Sequence, residues 1–468
     1  MLKKKKIRII ILLISIVFLF IYFLASSIIG NHKFDNLKSI LNDQQKQLIK
    51  KYVFPFQVIS QKQNIIDQMR NQMIERENNL LNFLADIELN IKKSGLDIEL
   101  EESFIKLENN ITLKKFNLAS GFYRGINNTF PGSGYFDFHD DNIIIISSLG
   151  ILGYKNILDD NKKKIKQIEN NINEFISIKQ LKQHNWFSLK DILIFNNRVF
   201  ISYTDEIEEN CWNTSIIFGE MNYKKIKFRK LFSPKKCIDS IKNIDKEFNA
   251  HQSGGKIVSL DNENILFSIG DYRNRHLAQN KRSINGKIIR ININNSNYEI
   301  ISKGHRNPQG LYFDKYNNFV LETEHGPQGG DELNIIDLHL VNKKQILNFG
   351  WPISSYGEHY GGRIEKNKKK YDKYPLYKSH IEHGFIEPVH SFVPSIGISE
   401  IVKTNDNQYV ISSLKDKSLY FFELNQNKAI KNLRRVEVFE RVRDLKFYNN
   451  KLFLFMEDSA SIGIININ

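Results

Sequence analysis

Beyond about Asn110 the chain is a succession of short apolar or alternating runs cut by Asn, Asp and Gly: "DNIIIISSLG", "DILIFNNRVFISYTD", "GGKIVSLDNENILFSIGD", "GLYFDKYNNFVLETEHG", "QYVISSLKDKSLYFFEL" and "LKFYNNKLFLFMED". Most read as a strand, a tight turn and a second strand, because Asn, Asp and Gly accept the backbone angles of a hairpin turn while β-branched and aromatic residues suit a pleated surface. No convincing long helix intervenes, so the region reads as all-β. The recurring hairpin unit fits the blades of a propeller better than a sandwich. Residues 111–468 have room for six blades, although periodicity alone does not set that number.

The chain before this region is of another kind. Lys3, Lys4, Lys5, Lys6 and Arg8 precede an uncharged, almost wholly apolar run from Ile9 to Ile29, long enough to cross a bilayer as a helix. The basic cluster predicts a cytoplasmic N-terminus, so the expectation is a single-pass anchor over 1–30 in the inner, cytoplasmic membrane, with everything after Gly30 exported to the periplasmic or extracytoplasmic side. A cleaved signal peptide is the rival reading, from the small residues Ala25, Ser26 and Ser27, but the apolar run exceeds a usual signal core. From Phe34 to Ser94 apolar residues recur at helical spacing (Leu37, Ile40, Leu41, Leu48, Ile49; then Ile65, Ile66, Met69, Met73, Ile74), interrupted by Pro55, which predicts a helical stalk over 31–110. The net charge of +15 comes from Lys and Arg scattered along a chain rich in Lys, Asn and Ile, with no nucleic-acid-binding motif beside them, and no nucleic-acid partner is expected. Export would permit a disulfide between the only two cysteines, Cys211 and Cys237; two separate buried thiols are the alternative.

Chemistry concentrates where loops meet strands, which in a propeller is the mouth of the central channel. Those segments are "NAHQSGGKI" from Asn249 with "SIGDYRNRHLAQN" from Ser268; "KGHRNPQGLYFD" from Lys303 leading into "LETEHGPQGGDELNII" from Leu321 and "NFGWP" from Asn348; "SSLKDKSLYF" from Ser412; and "ERVRDLKF" from Glu440. In that order they resemble the soluble glucose dehydrogenases and the aldose or sorbosone dehydrogenases that use pyrroloquinoline quinone. The "GHRNPQG" and "EHGPQGGDELN" pair followed by "NFGWP" is the specific part. The likeness spans about residues 180–468, fades in the first blade, where substrate-binding residues stay unassigned, and leaves the stalk outside.

Each segment has a physical reading beside what the resemblance implies. A neutral imidazole can take a proton near neutral pH, which points to His251 as a general base. The resemblance implies that His251 removes the proton of a sugar's anomeric hydroxyl while hydride leaves the same carbon, with Asp271 orienting the imidazole. Ala250 stands where related glucose dehydrogenases commonly carry an acidic or amide residue, which argues against glucose itself as the substrate. Arg306 and Asn307 offer a fixed cation and an amide to a flat, oxygen-rich cofactor, Arg306 being suited to developing charge on a quinone oxygen. The Gly- and Pro-rich turn suits a hard cation, and the resemblance places calcium on the carbonyls of Gly326 and Pro327, with Asp331 and Glu332 bracing the loop. Trp351 reads equally as packing or as a pocket wall. Lys415, Arg441 and Arg443 would converge in a closed ring, and alternation puts the two arginines on one face, a complement to the three carboxylates of the quinone. His359, His380 and His383 lack the spacing of a zinc site. The implied activity is calcium- and quinone-dependent oxidation of an aldose or related sugar to its lactone, with an unspecified electron acceptor. A non-catalytic propeller that binds a ligand or protein is the alternative, and it would have no use for a base beside a tricarboxylate clamp.

Overall fold

The structure, a computed structural model, describes residues 17, 62–77, 98–118, 133–148, 150–159, 164–176, 180, 188–343, 345–405 and 407–467. The expected membrane anchor lies outside the described residues apart from Val17. Among those described, no helix is long and apolar enough to cross a membrane. Of the expected stalk, residues 62–77 form a helix on which Ile65, Ile66, Met69 and Met73 are all exposed.

The β region is a six-bladed propeller. Each blade is an antiparallel meander running outward from the channel. Blade 1 contains Gly134–His139, Asn142–Ser147, Leu152–Asn156 and Lys164–Gln167, and Ile98–Glu99 pairs outside the last. Blade 2 contains Leu189–Phe195, Arg198–Glu208, Cys211–Glu220 and Arg229–Phe232; blade 3, Gly254–Ser259, Asn264–Ile269, Lys287–Asn292 and Tyr298–Lys303. Blade 4 contains Pro308–Asp314, Phe319–Glu324, Asp331–Asp337 and His390–Phe392; blade 5, Ile398–Lys403, Gln408–Ser413, Ser418–Leu424 and Ile430–Glu437. The hairpin turns follow the sequence reading: Asn196 and Asn197, at φ 50° and 55°, join the first two strands of blade 2 in the left-handed region that Asn tolerates.

Blade 6 corrects the expected stalk boundary. Its inner strands Val442–Tyr448, Lys451–Met456 and Ser461–Asn466 come from the C-terminal end, and its outer strands Thr112–Asn117 and Glu101–Lys106 come from the N-terminal side, with Phe116 opposite Ile462. Residues 98–110 therefore belong with the propeller rather than with a stalk. "EESFIK" hid this because an outermost strand is mostly solvated and carries no readable alternation. The two ends of the β region share one blade, so the ring closes by main-chain hydrogen bonds and leaves no open sheet there.

Between blades, apolar side chains from facing sheets interlock. Phe200 and Ile216 of blade 2, for example, share one core with Phe267 and Ile289 of blade 3, and each such fully buried side chain contributes about 1.5–3 kcal/mol. Around the channel the blades are joined by polar contacts. Asp191 of blade 2 accepts from Ile257 N of blade 3 (2.8 Å), and Asp444 of blade 6 accepts from Phe136 N of blade 1 (2.9 Å). In the middle, buried Lys256 of blade 3 contacts Asp191 (2.9 Å), Asp444 (3.2 Å) and Glu400 of blade 5. Cys211 and Cys237 are disulfide-bonded across a Cα separation of 5.2 Å, which decides between the two readings of these thiols.

Candidate active site

The loops at one end of the channel enclose a cavity of about 540 Å³. His251, Arg306, Asn307, Gly326, Pro327, Lys415, Arg441 and Arg443 all line it, so residues spread over nearly two hundred positions meet in one place. A smaller cavity of about 90 Å³ shares His251, Arg441 and Arg443 and is walled by Tyr135, Ser148, Lys256 and Glu400 around the channel. Asp271, by contrast, lies behind the wall.

His251 sits in a short 3-10 turn, Ala250–Gln252, capped by Asn249, whose Oδ1 accepts from His251 N (2.8 Å). The turn lifts the imidazole to an exposed position on the rim. Asp271 has another task than the expected one. Its fully buried carboxylate accepts from Trp351 Nε1 (2.8 Å) and Arg273 N (2.8 Å), and from the Gln252 amide (3.1 Å) once that amide is oriented by its neighbours. Its partners are thus the residue after the histidine and the wall behind Arg306, rather than the imidazole. Burial pushes the Asp271 carboxyl up, against the opposing pull of Arg306. Trp351 is accordingly a brace: its indole holds Asp271 and its ring lies 5.5 Å from the Arg306 guanidinium carbon.

Arg306 is held on several sides. Nη1 donates to His325 O (2.8 Å), Nη2 to the Gln252 oxygen (2.9 Å), and its backbone N donates to Glu324 Oε2 (2.7 Å). Asn307 uses its oxygen on Gly254 N (3.1 Å) and Gln309 Nε2 (3.1 Å), which leaves its NH₂ group for a ligand. The loop bearing Gly326 and Pro327 is folded so tightly that a Cβ on Gly326 would fall 1.5 Å from Gly330 O. Asp331 accepts from Ser395 Oγ (2.9 Å) and Ile398 N (2.9 Å), which ties it to the entry of blade 5. Glu332 instead turns into a buried carboxylate cluster.

Arg441 and Arg443 share a carboxylate that sequence reasoning missed. Glu457 Oε2 accepts from Arg441 Nε (2.9 Å), and Oε1 accepts from Arg443 Nε (3.1 Å) and Nη2 (2.9 Å). Although burial pushes the Glu457 carboxyl up, Arg443 and Arg441 hold it below the usual range. Glu457 aligns the two guanidinium planes; its signal was the register that sets Val442 opposite Met456, unreadable before the strands were paired. His325, also in the wall, is driven by burial down to about 4 and stays neutral at physiological pH.

The sequence profile of the family described as Glucose / Sorbosone dehydrogenase matches residues 189–466, more than half of the chain. The chain belongs to this family. Within it, the chain is 25% identical over 298 residues to the aldose sugar dehydrogenase YliI of Escherichia coli (strain K12), covering 58% of this chain and 73% of that one. The same fold occurs in a crystal structure of a glucose dehydrogenase (TM-score 0.58, 21% identity, 72% of this chain and 96% of that one). It occurs again in the PQQ-bound form of the aldose sugar dehydrogenase from Streptomyces coelicolor (TM-score 0.53, 16% identity, 71% and 93%). The family match begins with blade 2, so blade 1, which brings Tyr135 and Ser148 to the channel, lies outside it.

Proposed function

We propose that this family member is a quinoprotein that oxidises an aldose or related sugar at its anomeric carbon, using pyrroloquinoline quinone and calcium. The observation that carries the reading is one cavity in which Arg306, Lys415, Arg441 and Arg443 surround a space with His251 at its rim. Acidic lining is sparse there, Asp331 being occupied by Ser395 and Ile398 and Glu457 by the arginines, so the cavity suits a flat polyanion. The carbonyls of Gly326 and Pro327 would hold a hard cation beside it, at a turn that leaves no room for a side chain on Gly326.

When bound, the quinone with its calcium supplies the electrophilic carbonyl that accepts hydride from the sugar. The residues of the chain do the rest. Lys415, Arg441 and Arg443 fix the carboxylates, and Glu457 keeps the two arginines in register. Arg306, immobilised by His325 O and Gln252, offers a cation to an oxygen that gains negative charge, at no cost of reorganisation. His251 takes the proton of the anomeric hydroxyl as the lactone forms. Its exposed position leaves the sugar side open to solvent, consistent with a substrate that enters from bulk water. Export and anchoring by residues 1–30 would set this reaction outside the cytoplasm, near membrane electron carriers.

The test is dye reduction by a panel of aldoses with purified protein, with and without added quinone and calcium. Activity should require both additions and disappear with chelator; turnover by protein stripped of both would overturn the reading.

A further inference from the structure

Behind the site lies a cluster to which the redox reading assigns no task. His305, on the turn before Pro308–Asp314, faces Glu322 and Glu324 on the next strand, and all three are buried. One donor atom from each lies within 4.8 Å of the others. His305 Nδ1 is 3.8 Å from a Glu322 oxygen and 3.7 Å from a Glu324 oxygen, too far for a hydrogen bond to either. Among the described residues it has no hydrogen-bond partner, and neither does Glu322 Oε1, while Asn334 on the facing strand donates its amide nitrogen to Glu322 Oε2 (2.9 Å) and Glu324 Oε1 (3.5 Å). The other ring nitrogen, Nε2, is 2.8 Å from Ser302 Oγ, which accommodates the tautomer with a lone pair on Nδ1. Among the described residues no lysine or arginine forms an ion pair with Glu322, Glu324 or the neighbouring Glu332. Orphaned donor atoms this deeply buried are costly unless something fills the space between them.

We propose that His305, Glu322 and Glu324 bind a divalent first-row transition-metal ion such as Mn²⁺ or Zn²⁺, at a site separate from the cation expected at Gly326 and Pro327. The spacing suits it. Two ligands about 2.1 Å from a common ion and some 3.7 Å from each other subtend an angle of about 125°. An imidazole nitrogen in the set selects a transition metal over calcium or magnesium, which prefer oxygen throughout. Glu324 accepts from Arg306 N with its other oxygen (2.7 Å), so an ion here would also fix the turn that presents Arg306 to the cavity. The inference does not depend on the quinone reading.

The test uses the full chain, stripped with chelator and titrated with Mn²⁺ by electron paramagnetic resonance in excess Ca²⁺, which occupies oxygen-only sites. The wild-type protein should retain one Mn²⁺ per chain. Glu322→Gln and His305→Gln should each weaken it by at least about tenfold to a hundredfold, the loss that even an outer-shell change produces. Should either variant fail to fold, pulsed resonance on the wild-type protein decides through a ¹⁴N coupling from the imidazole. Equal affinity in folded variants, no ion retained against calcium, or a bound ion without nitrogen coupling would each overturn the proposal.

Discussion

Replacing Lys256 with Met removes the ammonium that contacts three carboxylates at the centre of the channel. Lys256 and its partners Asp191, Asp444 and Glu400 are at most 4% exposed, and each carboxylate comes from a different blade. Burial lowers the affinity of Lys256 for its proton, but the three carboxylates more than reverse this and hold it charged. Burial pushes Asp191 and Glu400 up even in the intact protein, against the pull of Lys256 and, beyond contact distance, of Lys446. Taking one partner from a buried charge group costs about 3–5 kcal/mol, and Met fills most of the volume, so the loss should be electrostatic rather than a cavity effect. The sign with pH follows. Without Lys256 the Asp191 and Glu400 carboxyls rise further above their unfolded values near 4, so the folded protein binds more protons than the unfolded chain above that pH. The variant should therefore be least stable near pH 8 and regain about 1.4 kcal/mol for each unit of that difference titrated as the pH falls toward 5. Denaturant melts of both proteins at pH 8 and pH 5 would measure this. A loss below about 1 kcal/mol at pH 8, or a variant with the pH dependence of the wild type, would refute the reasoning.

His251→Ala should leave stability within about 0.5 kcal/mol, since the side chain is exposed, while the rate of sugar oxidation by loaded protein falls by about two to four orders of magnitude in single-turnover kinetics. Lys415→Ala should weaken quinone binding by roughly tenfold or more and flatten its dependence on ionic strength, as a titration at two salt concentrations would show. Trp351→Phe orphans one oxygen of buried Asp271 and should cost about 1–3 kcal/mol, with the deficit larger at pH 8 than at pH 5, because the raised carboxyl destabilises the fold where it must be ionised.

The hairpin content and most of the cavity lining were legible in the sequence for a simple reason: Asn-rich turns and alternating strands are local, and the loop motifs that meet at the mouth are each contiguous. What stayed hidden is what only strand pairing creates. Thr112–Asn117 closes the ring against Ser461–Asn466, and Glu101–Lys106 adds outside it as an edge strand so exposed that its composition gave no sign of a strand. Glu457 reaches Arg441 and Arg443 from the neighbouring strand, and Trp351 reaches Asp271 across eighty positions. The resemblance implied that Asp271 orients the His251 imidazole, whereas its carboxylate meets Trp351, Arg273 N and Gln252, contacts that only the folded loops create. The apolar run from Ile9 to Ile29 remains a sequence reading, outside the described residues.

The central claim is most directly tested by loading calcium-treated protein with one equivalent of pyrroloquinoline quinone, recording the absorption of the bound cofactor, and mixing with an excess of each of several aldoses in the absence of any electron acceptor. The account predicts stoichiometric binding and reduction of the bound quinone by at least one sugar, at a rate that collapses in His251→Ala. Failure of the protein to bind the quinone would contradict it and leave a propeller that holds some other polyanion.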